Sequence, residues 1–82
     1  MSDKRLAVLS IIVEDRGASA EINSLLSTFG DYIVGRMGVP YKEKKVSVMS
    51  VIVDAPTEVI NTLTGKIGMI EGVTAKTLMS KI

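Results

Sequence analysis

One pattern recurs along the chain, in the same order both times. Val8, Ser10, Ile12 and Val13 return as Val48, Ser50, Ile52 and Val53, and Ile22, Asn23, Leu25 and Gly30 return as Ile60, Asn61, Leu63 and Gly68. The first set sits in aliphatic runs, LAVLSIIV from Leu6 and VSVMSVIV from Val46, too short for typical helices and rich in β-branched residues. They predict buried strands. The second set has helical spacing. Ile22, Leu25, Leu26 and Phe29 recur at i, i+3, i+4 and i+7, and Val59, Ile60, Leu63 and Ile67 form a matching apolar stripe. Each half therefore reads strand, helix, strand. Two such halves give an α+β, ferredoxin-like βαββαβ sandwich: a four-stranded sheet with two helices on one face.

The remaining elements fit this plan. Glu14-Asp15-Arg16-Gly17 is a polar turn. Gly30 follows the first helix, where a left-handed C-terminal cap is expected. Tyr32 to Val39 alternates as a strand, with Ile33, Met37 and Val39 on one side and Tyr32, Val34 and Arg36 on the other. Gly35 and Gly38 inside it predict a bulge or the close approach of another backbone. Pro40 and Tyr41 to Lys45 form a polar hairpin connection. Pro56 stands at the start of the second helix with Glu58 in its first turn. Gly68 ends that helix, and Val73 to Met79 is an edge strand.

The first and third strands are apolar on both faces, yet the helices cover only one. A bare aliphatic sheet face is a large exposed patch for a monomer. Another copy is expected to cover it, as a homodimer or tetramer assembled through the open face or the edges. Ser10 and Ser50 share that face with Glu14 and Asp54, and the alternation places Arg36 there too. An arginine in that position holds a carboxylate or phosphate between subunits, pairs with Glu14, Asp31 or Asp54, or stays a solvated edge residue.

Composition excludes several chemistries. The 82 residues suit a single domain and include no cysteine and no histidine. Disulfides, thiol nucleophiles and the commonest metal ligands and general bases are therefore absent, and no metal site or cofactor is expected. The five methionines are scattered and read as apolar filler. Glu14 and Asp15 adjoin in sequence and diverge in space, and Ser10 and Ser50 have no base, so no catalytic residue is assigned. A phosphate-binding loop would need Gly-Lys-Ser/Thr, whereas Gly35-Arg36-Met37 stands here. A net charge of +1 predicts neither a nucleic-acid nor a membrane partner. The central strands carry no aromatic stacking platform, so Lys42, Lys44 and Lys45 read as a solvated hairpin tip. No signal peptide or apolar span is evident, and the cytoplasm is the expected location.

Several segments together are distinctive: Gly30-Asp31-Tyr32, Gly35-Arg36-Met37-Gly38, Pro40-Tyr41, and Asp54-Ala55-Pro56. With the NTLTGKIG segment they closely resemble the iron-only hydrogenase system regulator family, from Arg5 to the end. The resemblance implies a single ACT-like regulatory domain over residues 1–82. It also implies a role beside a hydrogenase-related protein. Similarity of fold to the C-terminal domain of the nickel-responsive repressor carries no nickel site here, because the ligands are missing. ACT-like domains bind amino acids or other small effectors near the loop after the first strand. By position those residues are Glu14, Asp15, Arg16, Gly17 and Ala18, joined by Arg36. The leading expectation is a non-catalytic regulator binding a small effector at an oligomer interface. The rival is a protein-interaction adaptor with no small ligand, and a third reading is an enzyme working through interface carboxylates.

Overall fold

The computed structural model describes residues 4–81. Strand β1 (Lys4–Val13) leads through a 3-10 turn (Arg16–Ala18) into helix α1 (Ser19–Thr28). A second 3-10 turn (Gly30–Tyr32) precedes β2 (Ile33–Tyr41), which turns back as β3 (Val46–Pro56). Helix α2 (Thr57–Gly68) and strand β4 (Val73–Met79) complete the chain. The sheet order is β2-β3-β1-β4 and all pairs are antiparallel, so the plan is ferredoxin-like with β1 and β3 at the centre.

The alternation of the central strands decides where the core lies. Ala7, Leu9, Ile11 and Val13 of β1 and Val51, Val53 and Ala55 of β3 are buried. They meet Ile22 and Leu26 of α1 and Ile60, Leu63 and Ile67 of α2. The helix stripes read from spacing are thus the buried ones, with Leu25, Phe29 and Val59 packed partly against them. Thr64 of α2 and Thr77 of β4 join their hydroxyls, tying the second helix to the edge strand.

Among the described residues, no layer covers the opposite face. Leu6, Ile12, Val48 and Ile52 are exposed on the central strands, and Met37 and Leu78 on the edges are 67% and 73% exposed. The register gives this face a centre. Ser10 lies opposite Ser50, flanked by Val8 opposite Ile52 and Ile12 opposite Val48. Each residue faces the repeat-equivalent of its flanking partner, so the sequence repeat becomes a local two-fold about the serine pair.

Three local expectations change. Gly30 is not a left-handed cap. Helix α1 closes instead with Phe29 N–H on the Leu25 carbonyl, and Tyr32 N–H on the Phe29 carbonyl tightens the chain into a 3-10 turn. Those bonds satisfy the helix end without positive φ. Strand β2 begins one residue later than expected and runs through Pro40 and Tyr41, because an edge strand tolerates proline. Most consequential, the facing of β2 changes: of the bulge or close approach that Gly35 predicted, a bulge is found, between Ile33 and Gly35. The extra residue, Val34, reverses the alternation beyond it. Ile33 and Arg36 now share the helix-covered side, opposite Val53 and Val51, while Met37 and Val39 join the open face. Arg36 therefore does not lie on the open face.

Among the described residues, the positive-φ positions are Gly72 (φ 80°) and Lys45 (φ 56°). Gly72 accepts a hydrogen bond from Glu14 N–H at 2.7 Å, and a Cβ there would stand 2.6 Å from Asp15 Cβ. Both backbone conformation and close approach demand glycine. Gly72→Ala should destabilise the fold by about 2 kcal/mol or more. Gly30→Ala, with nothing within 4 Å of its would-be Cβ, should stay within about 0.5 kcal/mol of the parent. Urea unfolding of the two variants checks the contrast.

Candidate functional site

The helix-facing side of β2 presents Arg36, Gly38 and Pro40 in succession, opposite Val51, Met49 and Ser47 of β3. Two of these three side chains have little bulk, so the space between the edge strand and α1 is not filled. Two adjoining hollows result. One, of about 250 Å³, is walled by Arg16, Ser19, Tyr41, Lys42, Lys45 and Ser47, with Val13, Val46 and Pro40. The other, of about 180 Å³, is bounded by Asn23 and Arg36 and floored by Gly38, Pro40 and Met49. Ser19, Pro40 and Ser47 line both, so the hollows form one groove.

The groove collects positive charge. Among the described residues, Arg16, Arg36, Lys42 and Lys45 line it and no carboxylate does. Ser19, the first residue of α1, stands in both walls, with its N–H bonded to the Arg16 carbonyl. Arg36 crosses the groove and donates from a guanidinium nitrogen to Asn23 Oδ1 at 2.8 Å. Its observed partner is a neutral amide, not Glu14, Asp31 or Asp54, and its position follows from the bulge.

The residues singled out from sequence separate into two groups. Arg16 and Arg36 line the groove together. Glu14 is exposed, with its backbone committed to Gly72. Asp15 turns its carboxylate back on the loop, accepting Gly17 N–H at 2.9 Å. Ala18 is buried in the core, which leaves it no ligand-facing side chain. Ser19, Asn23 and Ser47 were not expected at a site, and Lys42 and Lys45, expected as a solvated hairpin tip, are exposed and also line the groove. One signal was available: Lys42 and Lys45 bracket a turn, closed by Lys45 N–H on the Lys42 carbonyl at 3.2 Å. Such a turn brings both lysines to the mouth of the strands it joins. Among the family-pattern residues, Pro40 and Tyr41 line the groove, Gly38 floors it, and Gly35 sits beside the bulge. Gly30, Asp31 and Tyr32 form the turn into β2.

Residues 5–77 match the family model described as "TM1266-like: Iron-only hydrogenase system regulator, putative". This chain belongs to that TM1266-like family. It is similar in structure to the uncharacterized protein TM1266 from Thermotoga maritima, with 32% identity, a TM-score of 0.92, and coverage of 96% of this chain and 100% of that one. A more distant likeness is the apo form of CPII from Thiomonas intermedia K12, a nitrogen regulatory PII-like protein. There the identity is 18%, the TM-score 0.52, and the coverage 93% of this chain and 91% of that one; the likeness concerns the fold. No curated protein matches the chain significantly. Among the described residues of this TM1266-like chain, no helix is long and apolar enough to cross a membrane.

The Arg36–Asn23 bond lies on the surface, so its net contribution to stability is small. Arg36→Ala should change the unfolding free energy by no more than about 1.5 kcal/mol. Chemical denaturation of the variant measures this, and its folded spectrum should match the parent's.

Proposed function

We propose that the chain is a non-catalytic, one-domain regulatory module of an iron-only hydrogenase system. It assembles with further copies of itself through the uncovered sheet face and responds to a small effector held in the groove on the helix-covered side, passing the signal to a hydrogenase-related protein. The observation that carries this reading is the uncovered sheet face, with Leu6, Ile12, Val48 and Ile52 exposed around the Ser10–Ser50 centre. Scattered apolar residues need no partner, but a contiguous sheet of them does. Homo-oligomers most often close as two-fold dimers, and one patch can then serve both subunits. The family description supplies the system. The fold likeness to a nitrogen regulatory PII-like protein fits a small regulator. Arg16 and Arg36 are the residues proposed to meet the effector; Glu14, Asp15, Gly17 and Ala18 shape the loop that carries Arg16.

Ile52→Glu tests the assembly. The side chain is on the open face and outside the core, so the variant should keep its far-UV circular dichroism. Sedimentation velocity should find the parent protein as a dimer or larger and the variant as a monomer, since a buried unpaired carboxylate is costly. A parent protein that sediments as a monomer at high micromolar concentration would remove the oligomer reading.

A further inference from the structure

The groove between α1 and the β2–β3 hairpin has a chemical character of its own. Four cations line it without a carboxylate among them. The chain's net charge is only +1, so this local excess is not a reflection of overall composition. The hollow between α1 and α2 offers a contrast: Glu21 and Lys66 both line it, and it favours neither sign. All four cations are exposed, and an anionic occupant of the concavity would be attracted by each of them.

The lining also specifies the kind of anion. Two guanidinium groups offer paired, planar donors suited to oxyanions, and the lysines act as movable point charges. Hydroxyls of Ser19, Ser47 and Tyr41 provide further donors. Together the hollows reach the lower part of the range of about 300–1,000 Å³ usual for small-molecule sites. They have no row of aromatic platforms of the kind that holds a single-stranded polymer. We infer that this groove binds a small polyanion of the organic-phosphate class, with its charged group held among Arg16, Arg36, Lys42 and Lys45. The inference deepens the proposed effector site and rests on that reading for its regulatory meaning. The binding itself needs only one chain.

Two positions allow a test that separates binding from folding. Lys45 holds a positive φ of 56°, which costs an ordinary residue free energy and a glycine almost none. Lys45→Gly should therefore raise the melting temperature by a few degrees while removing one groove cation. Gly38→Val should plug the floor without changing any charge; a Cβ there meets only Met49 Cγ, at 3.7 Å. Lys66→Ala removes a cation elsewhere and serves as the control.

Isothermal titration with pyrophosphate, in the full-length protein at moderate salt, is the measurement. Saturable binding is expected, weakened about 5-fold or more by Lys45→Gly and by Gly38→Val, and unchanged by Lys66→Ala. Inorganic phosphate should compete weakly, and glutamate hardly at all. Absence of pyrophosphate binding in the parent protein would overturn the site. So would equal weakening by Lys66→Ala, which would mark diffuse charge attraction. A single-stranded oligonucleotide that binds more tightly than pyrophosphate and displaces it would overturn the small-molecule assignment. Sedimentation of the same samples separates the two readings. Groove binding by a monomer upholds this inference and fails the oligomer proposal, whereas an assembled protein indifferent to pyrophosphate does the reverse.

Discussion

The antiparallel pairing of β1 with β3 is the interaction on which the other elements depend. Its register sets Ser10 against Ser50 and thereby puts Leu9, Ile11, Val51 and Val53 on one side of the sheet. A slip of one residue would carry that set to the open side and bring residues such as Val8, Ser10, Ile12, Ser50 and Ile52 under the helices. Both helices pack on the face so defined, and both edge strands take their places from its outer hydrogen-bonding groups. The same register leaves Leu6, Ile12, Val48 and Ile52 on the other side. Core and bare face are thus two consequences of a single pairing, made by two runs whose sequences repeat each other.

The frame was legible because its signals are periodic. LAVLSIIV and VSVMSVIV could be read as strands, and the stripes of Ile22 and Leu26 and of Ile60, Leu63 and Ile67 as helix faces. Period 2 and period 3.6 follow from backbone geometry and need no tertiary information. The non-periodic features resisted. Nothing local in Ile33-Val34-Gly35 says which residue will be left out of the ladder, and the bulge there decides the side on which Arg36 emerges. Gly72 was equally hidden, because its need for glycine comes from Asp15, a residue far away in sequence. Gly30 gave the opposite error: a glycine after a helix suggested a left-handed cap, and a 3-10 turn met the same carbonyls.

The candidate site was only half visible for a related reason. Arg16 was expected from the position of its loop in the resembled family and Arg36 from its place mid-strand between glycines, but they line adjoining hollows of one groove only because the bulge turns Arg36 to the helix-covered side. Ser19 and Ser47 are unremarkable in sequence and become wall residues only because Gly38 and Pro40 leave the space between them unfilled. A site built from missing bulk leaves little trace in a residue pattern. The buried position of Ala18 shows the complementary limit, since location in a loop does not reveal which loop residues face inward.

Strand β2 connects the two surfaces. Arg36, Gly38 and Pro40 form one side of the groove, and the residues between them, Met37 and Val39, face the open sheet side with Ser50 and Val48. An edge strand is paired on one side only, so its position is held less firmly than that of β1 or β3. An occupant joining α1 to the hairpin would restrain β2 from one face, and a second copy lying on Met37 and Val39 would restrain it from the other. Each would then be bound to a strand the other had already ordered, which is favourable coupling with no large change of shape. Linkage makes the effect reciprocal: whatever the groove occupant adds to assembly, assembly must add to the occupant's affinity. The alternation of a single strand would be enough to connect the proposed groove binding to the proposed association in a chain of 82 residues.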